Sequence, residues 1–199
     1  YNELQNYLAN VTQELVRERS KVKKLSRIHN RRPLEAAQLV YAGVITKGSS
    51  SYADELIINR GRADGLKKGQ YVMSRNSIVG LVSDVFQTTA RIVLVTNPDM
   101  RMAVQVVGTD AERLMQGTGR GHSRIMLLST NYKVSEGDAV YACCRPGYLD
   151  APMITGRIKR LYRDPDNPLI WDVTVEPACD MSRIDYVFVI KMPENVQSR

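Results

Sequence analysis

Between Leu56 and Val107 the chain alternates short apolar, β-branched runs with turn clusters, and this rhythm leaves few folds open. The runs are Leu56–Ile58, Ile78–Val82, Ile92–Val95 and Ala103–Val107. The turns fall at Asn59–Gly61, Asp64–Gly65, Lys68–Gly69 and Asn97–Asp99. Runs of this length bounded by Gly, Asn, Asp and Pro make strands joined by tight turns. The segment therefore reads as a small closed or nearly closed β structure.

The same sentence is written twice. Leu66–Val72 (LKKGQYV) resembles Val134–Val140 (VSEGDAV): an apolar residue, two polar residues, a turn glycine and a strand entry. Ile78–Val82 (IVGLV) resembles Ile154–Ile158 (ITGRI), and Asn97–Met100 has a looser partner in Glu176–Met181. The offsets of about 70 to 80 residues are too long for a solenoid period. Two related β domains in tandem account for them, and 199 residues suffice for two small domains. Only 7% of the residues are aromatic, with Trp171 the single Trp. Both cores must then rest on Val, Ile, Leu and Met.

A different pattern precedes them. Leu4, Leu8, Val11, Leu15, Val22 and Leu25 recur at steps of four and three, broken by Glu18. Apolar residues at this spacing form the narrow seam of a coiled coil. The helix should stop before Pro33, after roughly 30 residues or ~45 Å. These six side chains are the candidate dimerisation residues, although such a stripe can also lie against its own barrels. Arg17–Arg32 holds eight basic residues and one acid, which equals the whole net charge of +7. The rest of the chain is balanced. The basic stretch reads as a solvated helix face, an anionic-lipid or wall-polymer contact, or a non-specific nucleic-acid site. A basic-zipper DNA-binding dimer is one alternative, but its basic region precedes the zipper, the reverse of the order here. No apolar run approaches the ~20 residues that cross a bilayer. The chain opens on Tyr1 inside the helical pattern, so a preceding segment is expected.

Signals for catalysis are weak. A serine or cysteine nucleophile needs a base and a group to orient it. The two histidines are His29, at the helix end, and His122, beside Ser123 in a glycine-rich GTGRGHS stretch that resembles no nucleophile elbow. A chymotrypsin-like two-barrel hydrolase is the enzymatic alternative. A periplasmic adaptor is another, though its helical hairpin would need a second helical pattern. Cys143, Cys144 and Cys179 have no metal-ligand spacing. They read as thiols, with a Cys179 disulfide to one of the adjacent pair as the other option. No catalytic residue, cofactor or metal site is expected.

The order of strands and turns over Leu56–Val107, with Val173–Ile190 (VTVEPACDMSRIDYVFVI), resembles the rod shape-determining protein MreC family. The likeness spans most of Leu39–Ile190. It implies a non-enzymatic scaffold of bacterial cell elongation, with a dimeric helix and two barrels outside a membrane anchor. It also implies partnership with MreD and a class B penicillin-binding transpeptidase. One stretch departs from the family: Cys143–Met153 replaces a glycine-rich loop ending in Phe-Pro. Its apolar residues Tyr148, Leu149, Pro152 and Met153 are the candidate partner contacts. The expected fold is mainly β with a long N-terminal helix: a coiled-coil helix over 1–33, barrels over 34–118 and 119–192, and a flexible tail over 193–199. A strand is allowed to cross between barrels.

Overall fold

The computed structural model of the chain describes Leu34, residues 37–48 and residues 54–193. Among these, twelve strands follow in order: β1 Gln38–Lys47, β2 Glu55–Ile58, β3 Tyr71–Ser74, β4 Ser77–Val85, β5 Ala90–Leu94, β6 Arg101–Val106, β7 Glu112–Gly117, β8 Ser123–Ser129, β9 Ala139–Ala142, β10 Met153–Arg163, β11 Ile170–Pro177 and β12 Tyr186–Lys191. Alternation sets their faces. Strand β6 buries Met102, Val104 and Val106 and leaves Arg101 and Ala103 exposed, the period-2 pattern of a sheet with one wet side. Turn chemistry sets their ends. Arg75 and Asn76 both adopt positive φ (47° and 60°) between β3 and β4, as a two-residue hairpin that matches strand twist requires.

The strands close into two antiparallel barrels of six, ordered β1-β12-β3-β4-β5-β2 and β10-β11-β8-β7-β6-β9. Closure removes open sheet edges. The cyclic orders superimpose: β1–β5 correspond to β7–β11, and the place of β6 in the second barrel is taken by β12 in the first. Each run of five strands therefore passes its next strand to the other barrel, β5 leading into β6 and β11 into β12. The first core gathers Ala42, Leu56, Ile58, Val72, Val79 and Ile92 with Val187 and Val189 of β12.

This connectivity moves the boundary expected from sequence. Strands β6 and β7 were assigned by position to a first barrel ending at residue 118, and they belong to the second. Strand β12 was assigned to the second barrel, and it pairs with β1 over Gln38–Gly43 and with β3. The glycine-rich stretch at the expected boundary is a hairpin turn, with the Thr118 amide donating to the His122 carbonyl at 3.0 Å and Gly119 and Gly121 at positive φ. The crossing lies at Val95–Met100 instead. There the side chain of Asn97 accepts from the Asp99 amide at 2.8 Å and folds the chain over. The expected helix over 1–33 and most of the tail lie outside the described residues.

Candidate functional site

Alternation along β1 and β12 places Val40 and Ala42 opposite Val189 and Val187. The intervening residues must then face outward. Most are large and apolar: Leu39 is 42% exposed, Tyr41 54%, Ile45 56% and Tyr186 45%, while Ile190 opposite Leu39 is fully buried. Tyr41 stands directly opposite Phe188, and Gly43 opposite Tyr186. The three rings form a closed cluster, with centroids 5.8 Å apart for Tyr41–Tyr186, 5.7 Å for Tyr41–Phe188 and 6.0 Å for Tyr186–Phe188. The last two pairs meet edge to face, the geometry favoured by ring quadrupoles. Rings fixed this way lose little side-chain freedom on contact with a partner. Contiguous exposed apolar area rimmed by polar residues marks interaction surfaces.

A second feature is the junction between barrels. All four residues of β3 are buried, although only Val72 belongs to the first core. The start of β4 is buried as well, and contacts with the second barrel lie along this stretch. Arg145, Cys143 and Cys144 lie close enough to Tyr71 to act on its ionisation, where burial raises the phenol pKa and Arg145 opposes the rise. The buried Thr155 hydroxyl donates to the Ile78 carbonyl at 3.2 Å, and that of Ser123 to the Val95 carbonyl at 2.7 Å. The loop carrying the candidate partner contacts lies here. The Arg145 guanidinium sits 4.3 Å from the Tyr148 ring centroid, and a Cβ on Gly69 would stand 3.3 Å from Tyr148 Cε1. Leu149 is fully buried and Met153 is 6% exposed, while Tyr148 and Pro152 are half-buried. In this conformation Leu149 and Met153 anchor the loop and offer no surface. The six helix residues Leu4, Leu8, Val11, Leu15, Val22 and Leu25 lie outside the described residues.

The hydrolase alternative fails on geometry. Ser123 is 1% exposed and its proton is committed to Val95. The ring nitrogen Nδ1 of His122 lies 3.0 Å from the Arg120 carbonyl. A nucleophile needs its base within hydrogen-bond reach, and here each group is held by a different backbone oxygen. The cysteines are free, with Cys143 buried, Cys144 exposed and Cys179 half-buried. Cys179 packs against the first core, so the disulfide option is not taken. Among the described residues no three His, Cys, Asp or Glu side chains are grouped to hold a metal. None of their helices is long and apolar enough to cross a membrane.

Residues 44–191 match the family described as "Rod shape-determining protein MreC, barrel core". The chain belongs to the MreC family. The cell shape-determining protein MreC of Cereibacter sphaeroides is 26% identical over 151 residues, covering 76% of this chain and 48% of that protein. The chain thus spans about half the length of this MreC relative. The crystal structure of MreC from Pseudomonas aeruginosa has the same fold, with a TM-score of 0.70 and 23% identity over 76% of this chain and 98% of that one. A further neighbour, at TM-score 0.61 and 12% identity, covers 78% of this chain and 99% of its own. It comes from a complex between penicillin-binding protein PBP2 and MreC of Helicobacter pylori.

Sequence reading found the MreC family and missed the aromatic face. Tyr186-Val187-Phe188-Val189 is apolar at every position, so alternation cannot say which pair faces in. Only pairing with β1, about 150 residues away in sequence, decides it. The weak signal was that the bulkier rings share one parity and the valines the other.

Proposed function

We propose that this MreC-family chain is a non-enzymatic scaffold of the cell-elongation machinery, whose β1–β12 aromatic face docks a class B penicillin-binding transpeptidase. The supporting observation is the Tyr41–Tyr186–Phe188 cluster, with Tyr41 and Tyr186 exposed and Phe188 half-buried, held in fixed geometry. Tyr is enriched among the few residues that dominate binding energy at interfaces. The H. pylori complex, in which an MreC is bound to the penicillin-binding protein PBP2, supports a partner of that kind. Docking switches the transpeptidase on if the face binds the active conformer more tightly than the inactive one. A membrane anchor preceding Tyr1, contact with MreD, and dimerisation through Leu4, Leu8, Val11, Leu15, Val22 and Leu25 complete the reading. The barrels then stand in the periplasm or outside the cell, and no specific nucleic-acid role is assigned.

Biolayer interferometry between the full chain and the extracytoplasmic region of a class B transpeptidase tests the docking claim. Replacing Tyr41 and Tyr186 with Ser together should weaken binding by roughly 30-fold or more, since interface hot spots cost about 2 kcal/mol or more. Both side chains point away from the core, so the double variant should melt like the parent. Unchanged affinity in a folded double variant would refute the assignment.

A further inference from the structure

A recess of about 490 Å³ opens on the first barrel between the Arg62–Lys68 loop and Ser83–Val85 of β4. Arg62, Lys67 and Lys68 line it, and so does Asp84. The Lys191 ammonium joins them from β12, 2.5 Å from where a Cβ on Gly65 would stand. That contact exists because Gly65 has no side chain, and its φ of 78° is one that glycine adopts freely. Nearby carboxylates are already engaged. Asp84 lies 3.8 Å from Arg91 and accepts from the Ser83 hydroxyl at 3.2 Å. Asp64 lies 3.5 Å from Arg60 and accepts from the Gly61 amide at 3.0 Å.

Three cationic side chains thus border one recess, Arg62 with its guanidinium donating to the Val85 carbonyl at 3.5 Å, in a region whose charges otherwise balance, since Arg17–Arg32 accounts for the whole net charge. Like charges gathered at one recess repel, and an anion of two or more charges relieves that repulsion. The loop presenting Arg62 and Lys68 is held by its own hydrogen bonds. The Gly65 amide donates to the Arg62 carbonyl at 3.0 Å, the Gly69 amide to Val82 at 2.8 Å, and the Lys67 amide to Gln70 Oε1 at 2.8 Å. Preorganised donors lose less on binding. Ammonium groups are compact point charges that suit phosphate. The recess is far larger than one phosphate group, which leaves room for a diphosphate or a phosphodiester with its substituents.

We propose that this recess is a binding site for a phosphate-bearing anion, with Arg62, Lys68 and Lys191 as its charged contacts. The source is a lipid headgroup or a soluble or polymeric phosphate. The full ¹⁵N-labelled chain is titrated with pyrophosphate at constant ionic strength. Saturable shifts should appear at the amides of residues 62–70 and 83–85. A Lys68→Gln/Lys191→Gln double variant should bind about ten-fold more weakly or worse, the scale of 1.4 kcal/mol, while its thermal melt is unchanged. Shifts that do not saturate, that sodium chloride reproduces, or that persist undiminished in the folded double variant would overturn the proposal. Co-sedimentation with vesicles of phosphatidylglycerol in phosphatidylcholine then separates the sources, with Arg17–Arg32 present in both proteins. Binding that falls in the double variant identifies the headgroup, and pyrophosphate binding with equal vesicle binding identifies the soluble or polymeric form.

Discussion

Gly69 and Gly137 hold the same place in the two barrels. Their φ angles are 86° and 91°, and their amides donate to the Val82 and Ile158 carbonyls at 2.8 Å each. The next residue repeats too. The carbonyls of Gln70 and Asp138 accept from the Val82 and Ile158 amides at 2.9 Å each. Their side chains cap the preceding turn, Gln70 accepting from Lys67 and Asp138 from Ser135, both at 2.8 Å. One turn design thus launches β3 and β9, and its details are shared at the level of single hydrogen bonds.

Replacing these glycines with Ala separates strain from packing. Nothing stands within 4 Å of a Cβ on Gly137, whereas one on Gly69 meets Tyr148 at 3.3 Å. Gly137→Ala should cost about 1–2 kcal/mol from the left-handed backbone alone. Gly69→Ala should cost at least as much, because the Tyr148 ring must also give way at the junction. Urea unfolding reads both. A neutral or stabilising Gly137→Ala would contradict the turn assignment.

The crossing between barrels is most sensitive at Gly117. A Cβ there would lie 2.1 Å from the Asn97 carbonyl oxygen and 2.3 Å from the Thr96 carbonyl carbon. Both obstacles are backbone, so no side chain can rotate away. Gly117→Ala should cost about 3 kcal/mol, the upper part of the range for overpacking, with loss of the Ser123–Val95 hydrogen bond. A crystal structure of the variant with Val95–Met100 unmoved would contradict this.

Strand exchange makes a directional prediction. Ending the chain after Pro177 removes β12, and with it Val187 and Val189 from the first core, but takes no strand from the second barrel. Amide exchange should lose protection across β1–β5 and keep it across β6–β11. Protection retained in β1–β5 would show that the first barrel closes without β12.

The two adjacent thiols should behave differently. Burial, reinforced by the Glu112 carboxylate, pushes Cys143 from 9.0 up to about 11, while Cys144 is exposed. At pH 8 iodoacetamide should modify Cys144 well before Cys143. The folded thiol ionises above the unfolded one, so its contribution to stability is intact below pH 9 and is lost as pH rises toward 11. Replacing Cys143 with Ala should flatten the fall in stability across that window. An identical pH dependence in the Ala variant would contradict the assigned environment.

The turn glycines and the alternating strands of β6 could be read directly because both signals are local. Two related barrels followed from the repeated LKKGQYV and VSEGDAV sentences. The boundary could not be read, because GTGRGHS and VTNPDM are both turn-rich. Only pairing partners distant in sequence show that the first turns a hairpin and the second crosses between barrels. The setting of the candidate contacts was hidden for the same reason. Leu149 and Met153 look like offered apolar residues in the sequence and are buried in the fold, and the outward face of Tyr41 shows only once β12 pairs beside it.

The docking claim is tested most directly by hydrogen–deuterium exchange on the full chain with and without a class B transpeptidase. The account predicts new protection confined to β1 around Leu39–Ile45 and β12 around Tyr186–Phe188, abolished by the Tyr41→Ser/Tyr186→Ser variant. Protection falling instead on Cys143–Met153, with β1 and β12 unchanged, would contradict it.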